Sequence, residues 1–251
     1  MRLLVDIGNT RIKWALLGAD GLEQPGDVVH RTDPAGAIDA MLNRITASPR
    51  TIRVANVAGS AFGANLSAAI DTAWNLPVEF AETQASAGVI RNAYSDHRKL
   101  GIDRWLAILA GVDRYPGALC IVDAGTAITV DLVAAGGEHL GGYIVPGIDL
   151  MWSALASDTG DLARIAGADS RLPVGSIDAG RDTPAAIAQG GLAMHCALIE
   201  RCVGKLTADN KPPVLLMTGG DAPPILAHLE ADAEYRPQLV LEGLALYASD
   251  D

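Results

Sequence analysis

Two α/β units, each a mixed sheet packed by helices, are what this sequence predicts, and three observations predict it. One motif occurs twice. Leu3-Leu4-Val5-Asp6-Ile7-Gly8-Asn9-Thr10 stands near the start, and Cys120-Ile121-Val122-Asp123-Ala124-Gly125-Thr126 stands about half a chain later, each followed by a second apolar-rich run. In both halves strand patterns come first and helix patterns follow. The chain has 251 residues, of which 49% are apolar, enough for a substantial core in one large domain or two medium ones.

Each element follows from its local pattern. Residues 3–17 read as a hairpin and are followed by a loop rich in Gly, Pro and Asp. Pro34 to Ile45 has helical spacing, with Ala37, Ile38, Met41, Leu42 and Ile45 on one side. Thr51 to Val57 alternates as a strand, Ala64 to Trp74 reads as a helix, and Pro77 to Ala81 is a short strand. Residues 84–100 carry little period and read as a loop able to cover a site. A strong helix runs from about Asp103 to Arg114, and Tyr115-Pro116-Gly117 breaks it. That break divides the chain into domains 1–115 and 116–251.

The second half opens with a hairpin over 118–133. Residues 141–147 read as a short strand ending in a turn, and Ile148 to Leu155 begins a helix. Residues 157–182 are irregular. Pro184 to Leu206 is a long helix interrupted by Gly190-Gly191, and Val214 to Thr218 is a buried strand followed at once by Gly219-Gly220. Ile225 to Leu229 is helical. Leu239 to Tyr247 reads as a strand leading into a final helix.

The formal net charge of −11 argues against a nucleic-acid binder or a protein resting on anionic lipid. It does not exclude an ATP site, because metal ions and backbone amides offset phosphate charge. Cys120, Cys196 and Cys202 lack paired metal-ligand spacing. Cys120 reads as a small buried hydrophobe, and the His195-Cys196 pair lies in a helical stretch. Neither a signal peptide nor a run long enough to span a membrane is visible, so a reducing cytoplasm is the expected compartment.

The repeated motif reads as strand, tight turn, strand. Glycine at the turn allows close approach of a phosphate, turn amides and the Thr hydroxyl donate to its oxygens, and the carboxylate holds a cation or a water. A single Asp-x-Gly after a strand is most often a plain hairpin. Its recurrence at corresponding places in two halves points to duplicated domains whose hairpins clamp a nucleoside triphosphate. Gly219-Gly220 after a buried strand fits an adenosine contact, since two glycines let a base or ribose lie against the backbone. The Walker pattern Gly-x-x-x-x-Gly-Lys-Ser/Thr is absent.

The order of these three elements resembles that of the actin-like, sugar-kinase and Hsp70-like ATPases. A closer resemblance adds Gly101-Ile102-Asp103-Arg104 and the run Gly142-Tyr143-Ile144-Val145-Pro146-Gly147. Together with the paired Asp motifs and Thr218-Gly219-Gly220, they resemble a type III pantothenate kinase over essentially the whole chain. That family also includes proteins named as Bvg accessory factors. The resemblance implies two duplicated actin-like (ribonuclease H-like) domains. It also implies ATP-dependent phosphorylation of pantothenate, the first step toward coenzyme A, by a homodimer with sites near its interface.

Residue chemistry supports the same roles. Asp103 opens an apolar helix, where an acidic residue complements the helix dipole. A kinase acting on an alcohol needs such a carboxylate to accept or orient the hydroxyl proton. Arg104 is a natural partner for a substrate carboxylate, which its fork grips bidentately. By resemblance, Tyr94 and Thr183 line the pantothenate pocket with Gly101 and Ile102. Asp123 holds a monovalent cation, K⁺ or NH₄⁺, and Thr126 contacts ATP. The first turn binds phosphate through Asp6, Ile7, Gly8, Asn9, Thr10, Arg11, Ile12 and Lys13, and Gly219 and Gly220 serve the nucleoside. Asp6 helps hold Mg²⁺ through water, since that ion keeps much of its hydration. Two stretches depart from the family pattern: Ser157-Asp158-Thr159-Gly160 and Ser170-Arg171-Leu172-Pro173.

Two other functions remain open on the same residues. A kinase of a sugar or another small alcohol would want clustered Asp, Asn and Glu side chains, and the polar content around Gly101 to Arg104 is sparse. A non-enzymatic regulator using ATP as a conformational ligand would have no need to retain Asp103 and Arg104. Assay with ATP, magnesium and potassium, comparing pantothenate with a panel of sugars, separates the three.

Overall fold

In the computed structural model, described over residues 1–158 and 176–248, each half of the chain builds a five-stranded mixed sheet with the same connectivity. The first half contributes β1 (Arg2–Ile7), β2 (Arg11–Gly18), β3 (Gly21–Val29), β4 (Thr51–Asn56) and β5 (Val78–Phe80). Their order is β3-β2-β1-β4-β5, with β1–β2 and β2–β3 antiparallel and β1–β4 and β4–β5 parallel. The helices α1 (Pro34–Arg44) and α2 (Ser60–Trp74) connect the later strands.

Side-chain alternation along β1 decides the layers. Leu3, Val5 and Ile7 enter one core with Ile52 and Val54 of β4, Ala37, Ile38 and Met41 of α1, and Phe62, Leu66 and Ile70 of α2. Leu4 and Asp6 therefore lie on the other face, as does Arg53, which is paired in register with Leu4. That second face receives α3 (Ile102–Arg114) and the last helix of the chain. Between β5 and α3 the expected loop contains a short hairpin, β6 (Ser86–Ala87) with β7 (Ile90–Arg91), and a 3₁₀ turn over His97–Lys99.

The second sheet repeats the plan with β8 (Leu119–Ala124), β9 (Ala127–Val133), β10 (His139–Pro146), β11 (Val214–Thr218) and β12 (Ala233–Tyr235), in the order β10-β9-β8-β11-β12. Again the first two pairings are antiparallel and the last two parallel. The helices among the described residues are α4 (Ile148–Asp158), α5 (Thr183–Leu206) and the short α6 (Ala222–Leu226). Cys120, Val122 and Ala124 pack with Leu192, Cys196, Ile199 and Cys202 of α5. All three cysteines are free and buried, as their apolar settings predict. Asp123 alternates onto the opposite face, as Asp6 does in the first sheet.

Several expectations are corrected. The loop after the first hairpin is the edge strand β3. Its Pro25 is tolerated on an edge, and the Ala19-Asp20 turn into Gly21 is a hairpin signal. Helix α2 begins at Ser60 rather than Ala64, α5 continues through Gly190 and Gly191, and α6 lies earlier than expected. Strand β12, which carries no long apolar run, forms beside β11. Leu239 to Leu246 is wholly helical, as α7, with no strand before it. Its apolar run Leu239 to Leu241, with Gly243 and Leu244, is buried, and periodicity cannot separate so short a buried run from a buried strand.

The domain boundary changes for the same reason. The chain forms two compact units: Met1–Arg114 together with the segment from Gln238 onward, and Tyr115–Pro237. The break after Arg114 lies one residue from the expected position, but α7 belongs to the first unit. It packs on α3 so closely that a Cβ at Gly243 would lie 1.9 Å from the Leu106 carbonyl oxygen. Arg53, which is buried, donates to both carboxylate oxygens of Glu79 at 3.1 Å and to the Tyr247 carbonyl, anchoring the end of α7. The Tyr247 hydroxyl accepts from the Glu82 amide at 3.1 Å. The departures at Ser157–Gly160 and Ser170–Pro173 fall outside the residues whose side chains are described. No helix among the described residues is long and apolar enough to cross a membrane.

The α3–α7 contact sets a stability test. Gly243→Ala forces the two helices apart against backbone, and overpacking of this kind costs about 1–3 kcal/mol. Urea unfolding of the variant is expected to show that loss as a lower midpoint at unchanged slope. A midpoint equal to that of the parent chain contradicts the contact.

Candidate active site

In the first unit, β1 carries Asp6 to the end of its buried run, directly opposite Lys13 on β2. Asp6 is only 7% exposed. The turn that follows is closed by the Gly8 amide donating to the Arg11 carbonyl at 3.0 Å. Ile7 and Ile12 are fully buried, so only their backbones serve the turn. Arg11 is half-exposed and ion-paired with Asp27 of β3. Asn9 is exposed at the tip.

Helix α3 begins where the covering loop ends. The Gly101 carbonyl accepts from the Trp105 amide at 3.1 Å, forming the first turn. Asp103 Oδ1 accepts from the Arg104 amide at 2.8 Å, which orients the carboxylate and also meets one of the unpaired donors of a helix start. Arg104 is buried, and its Nη1 donates to the Tyr94 hydroxyl at 3.0 Å. Tyr94 is itself held by Asn92, whose Oδ1 accepts from the Tyr94 amide at 2.9 Å while its Nδ2 donates to the Gln84 carbonyl at 3.2 Å. Thr83 ties the other end of the loop, donating to the Leu100 carbonyl at 2.9 Å. Tyr94, Asp103 and Arg104 are thus one connected group.

In the second unit, Asp123 stands at the corresponding end of β8, beside Thr218 of β11 in register. Gly219 follows with φ +93°, a conformation suited to glycine. A Cβ there would also lie 2.1 Å from the Ala124 carbonyl and 2.6 Å from Asp123 Oδ1. The Asp221 amide donates to the Ala124 carbonyl at 2.9 Å, so the Gly219-Gly220 turn wraps the end of the central strand. The Tyr235 hydroxyl donates to the Gly219 carbonyl at 3.1 Å. Burial, and then the neighbouring Asp123 charge, raise the Tyr235 phenol above its ordinary range. Thr126 is exposed, and its carbonyl accepts from the Gly147 amide at 2.9 Å. Thr183 is the exposed first residue of α5, behind an Asp182 cap that accepts from the Ala185 amide at 2.8 Å.

His195 has a structural task. Its ring is fully buried in α5, and Nε2 donates to the Pro146 carbonyl at 2.9 Å, one residue before the Gly147–Thr126 bond. Burial holds its pKa below the ordinary imidazole value, and the bond to Pro146 opposes that shift only in part. Burial also raises the neighbouring Cys196 thiol, as expected of a core cysteine rather than a nucleophile.

Comparison with known proteins places these features. The family profile described as type III pantothenate kinase matches residues 2–205. A type III pantothenate kinase from Nitrosococcus oceani is 40% identical over 259 aligned residues, covering 100% of this chain and 94% of that protein. This chain belongs to the type III pantothenate kinase family. Among solved structures, a Campylobacter jejuni protein assigned to the Baf family of transcriptional activators aligns over 97% of this chain and 96% of its own, at 24% identity and TM-score 0.59. A ROK-family glucokinase from Streptomyces griseus, solved with glucose and AMPPNP, aligns over 97% of both chains at 12% identity and TM-score 0.50. These structural likenesses fix the fold alone: two mixed sheets, each packed by helices.

The family motifs account for the turns and for the head of α3, but not for the residues that hold them in place. His30, Asn92 and Tyr235 escape a sequence reading because the bonds they make depend on strands β3 and β12 and on loop geometry.

His195 gives a pH test. Because its folded pKa lies below the unfolded value of about 6.5, its contribution to stability is present above that value and is lost as pH falls through the folded pKa. NMR titration is expected to find the His195 ring neutral at pH 6.5. The stability of the parent chain should fall more steeply below that pH than that of His195→Gln. An ordinary titration midpoint for His195 contradicts the assignment.

Proposed function

We propose that this chain transfers the γ-phosphoryl group of ATP to the primary alcohol of pantothenate, giving 4′-phosphopantothenate in the first step of coenzyme A biosynthesis. The observation that carries the proposal is the head of α3. There a carboxylate oriented by its own helix, Asp103, adjoins a buried guanidinium, Arg104, held by Tyr94. Pantothenate carries an alcohol and a carboxylate, and these two side chains match them.

Arg104 pairs with the substrate carboxylate, with Tyr94 fixing the plane of its guanidinium, and Thr183 is a further pantothenate contact. Asp103 orients the alcohol and accepts its proton as the new oxygen–phosphorus bond forms and the bond to the ADP oxygen breaks. Little covalent work falls on the protein in such a transfer; positioning and charge stabilisation dominate. The turn from Asp6 to Lys13 and Thr126 hold the phosphates, and Gly219 and Gly220 hold the nucleoside.

Kinases of this kind use a divalent cation, and Mg²⁺ takes phosphate oxygens, waters and one or two carboxylates. Asp6 supplies one such carboxylate. The second site fits K⁺ or NH₄⁺. Asp123 is paired in register with Thr218, whose buried hydroxyl has no hydrogen-bond partner among the described residues, so two hard oxygen donors lie on neighbouring strands there. Bound cations offset the charge of the transferring phosphoryl group.

With ATP, magnesium and potassium present, Asp103→Asn is expected to keep the fold and ATP binding while losing roughly 10²–10⁴-fold in turnover. In the same assay, replacing the pantothenate carboxylate by a neutral amide should weaken binding to the parent chain but add little to the defect of Arg104→Ala, because both changes remove one interaction. Phosphorylation of sugars in preference to pantothenate overturns the proposal. For the monovalent site, exchanging sodium for potassium should lower the rate, and Asp123→Ala should abolish the difference. Equal rates in the two salts remove Asp123 from that role.

A further inference from the structure

We infer that His30, which no phosphate motif contains, is a positioning residue for the first phosphate turn and sets the affinity for ATP. The inference rests on the proposed function for the identity of the ligand. His30 follows edge strand β3 and is 5% exposed. Two of its groups reach the turn between β1 and β2. Its Nε2 bonds the Gly8 carbonyl at 2.8 Å, and its backbone amide donates to the Thr10 carbonyl at 3.0 Å. A carbonyl only accepts, so Nε2 is the protonated nitrogen. Phe62 of α2 fixes the ring from the other side, edge to face, with centroids 4.6 Å apart.

The consequence lies in the peptide plane. The peptide joining Gly8 to Asn9 is planar and trans, so its carbonyl and its N–H point in opposite directions. By holding the Gly8 carbonyl, His30 aims the Asn9 N–H away from itself, at the exposed tip of the turn. The Arg11 carbonyl is likewise occupied, by the Gly8 amide. With the carbonyls of residues 8, 10 and 11 all held by protein donors, the turn cannot flip an oxygen toward an incoming phosphate without breaking these bonds. An anion site built from backbone requires this orientation, because a carbonyl facing a phosphate repels it. The side-chain bond is the replaceable part of the brace.

The test is ATP affinity measured by calorimetric titration, alongside the KM for pantothenate, in the parent chain, His30→Ala and His30→Gln. Loss of one buried hydrogen bond is expected to weaken ATP binding about tenfold in His30→Ala. The KM for pantothenate should stay within about twofold. The amide nitrogen of Gln reaches where Nε2 does, so His30→Gln should recover most of the affinity. An unchanged ATP affinity in His30→Ala, an equal loss for both substrates, or a Gln variant as weak as the Ala variant overturns the inference. Should His30→Ala fail to fold, Phe62→Leu loosens the ring and is expected to show the same split at smaller size; equal affinities for ATP in Phe62→Leu and the parent chain overturn it. A parent chain that binds ATP without phosphorylating pantothenate removes the proposed function, and the titration still decides the brace. A parent chain that binds no ATP overturns both.

Discussion

Each sheet is organised by a central strand, β1 or β8, that is buried on both faces and can carry a charge only where its buried run ends. β1 lies between an antiparallel partner and a parallel one, with Leu3, Val5 and Ile7 packed on one side and Leu4 on the other. A carboxylate in the middle of such a strand would be desolvated without compensation. Asp6 stands one residue before the end of β1, still buried but opposite Lys13, and Asp123 stands one residue before the end of β8. The same position commits both residues to the face away from the helices that follow. The turn after each is then built largely from backbone hydrogen bonds. The duplicated sequence motif is the record of one solution to this constraint, used twice.

The second structural commitment is the return of the chain. After the second unit, α7 comes back to the first and seats Gly243 on the backbone of α3 at Leu106. The head of α3 carries Asp103 and Arg104, so their placement depends on a helix from the far end of the sequence. Arg53 serves this arrangement from within the sheet. It is a buried cation whose charge is met by Glu79 and whose remaining donors reach the carbonyls at the end of α7. A buried guanidinium with one bidentate carboxylate and further acceptors is well satisfied, and removing Glu79 would leave its charge buried without a counter-charge. The covering loop is tied at both ends as well, through Thr83 to Leu100 and through Gln84 to the Ala248 carbonyl.

What the sequence reveals divides along the range of the interactions. The Asp6 and Asp123 turns, α3 and the mixed two-sheet fold are legible because their signals are local: an apolar run, a turn residue, a helical period. Where two local readings compete, sequence alone fails. Leu239 to Leu246 is apolar without period, and only its burial between α3 and the sheet makes it a helix. Strand β3 contains Pro25 and a bulge at Gln24-Pro25, between the Trp14 and Leu16 pairings, so it reads as a loop until β2 is there to pair with it. Missing β3 hides His30, because only that strand returns the chain to the first turn. Arg104 and Tyr94 are legible through family resemblance, but the bond between them is not, since it depends on Asn92 holding the loop.

An acidic chain of net charge −11 is an unpromising host for an anionic nucleotide and an anionic alcohol, and the structure shows how the conflict is localised. The positive groups at the candidate residues of the first unit are positioned: Lys13 opposite Asp6, Arg11 ion-paired with Asp27, and Arg104 held by Tyr94. The remaining attraction comes from oriented peptide dipoles, which carry no net charge and do not alter the overall balance. Their value depends entirely on orientation, since the same peptide presents a donor or an acceptor according to how it is turned. The side chains that fix peptide planes therefore matter as much as those that carry charge. His30 at the Gly8 carbonyl and Tyr235 at the Gly219 carbonyl stand in the same relation to their turns, each holding an oxygen in place. Asp6 and Asp123, each in its own unit, add negative charge where negative ligands are proposed to bind, and a cation at each turn is the arrangement that would offset it.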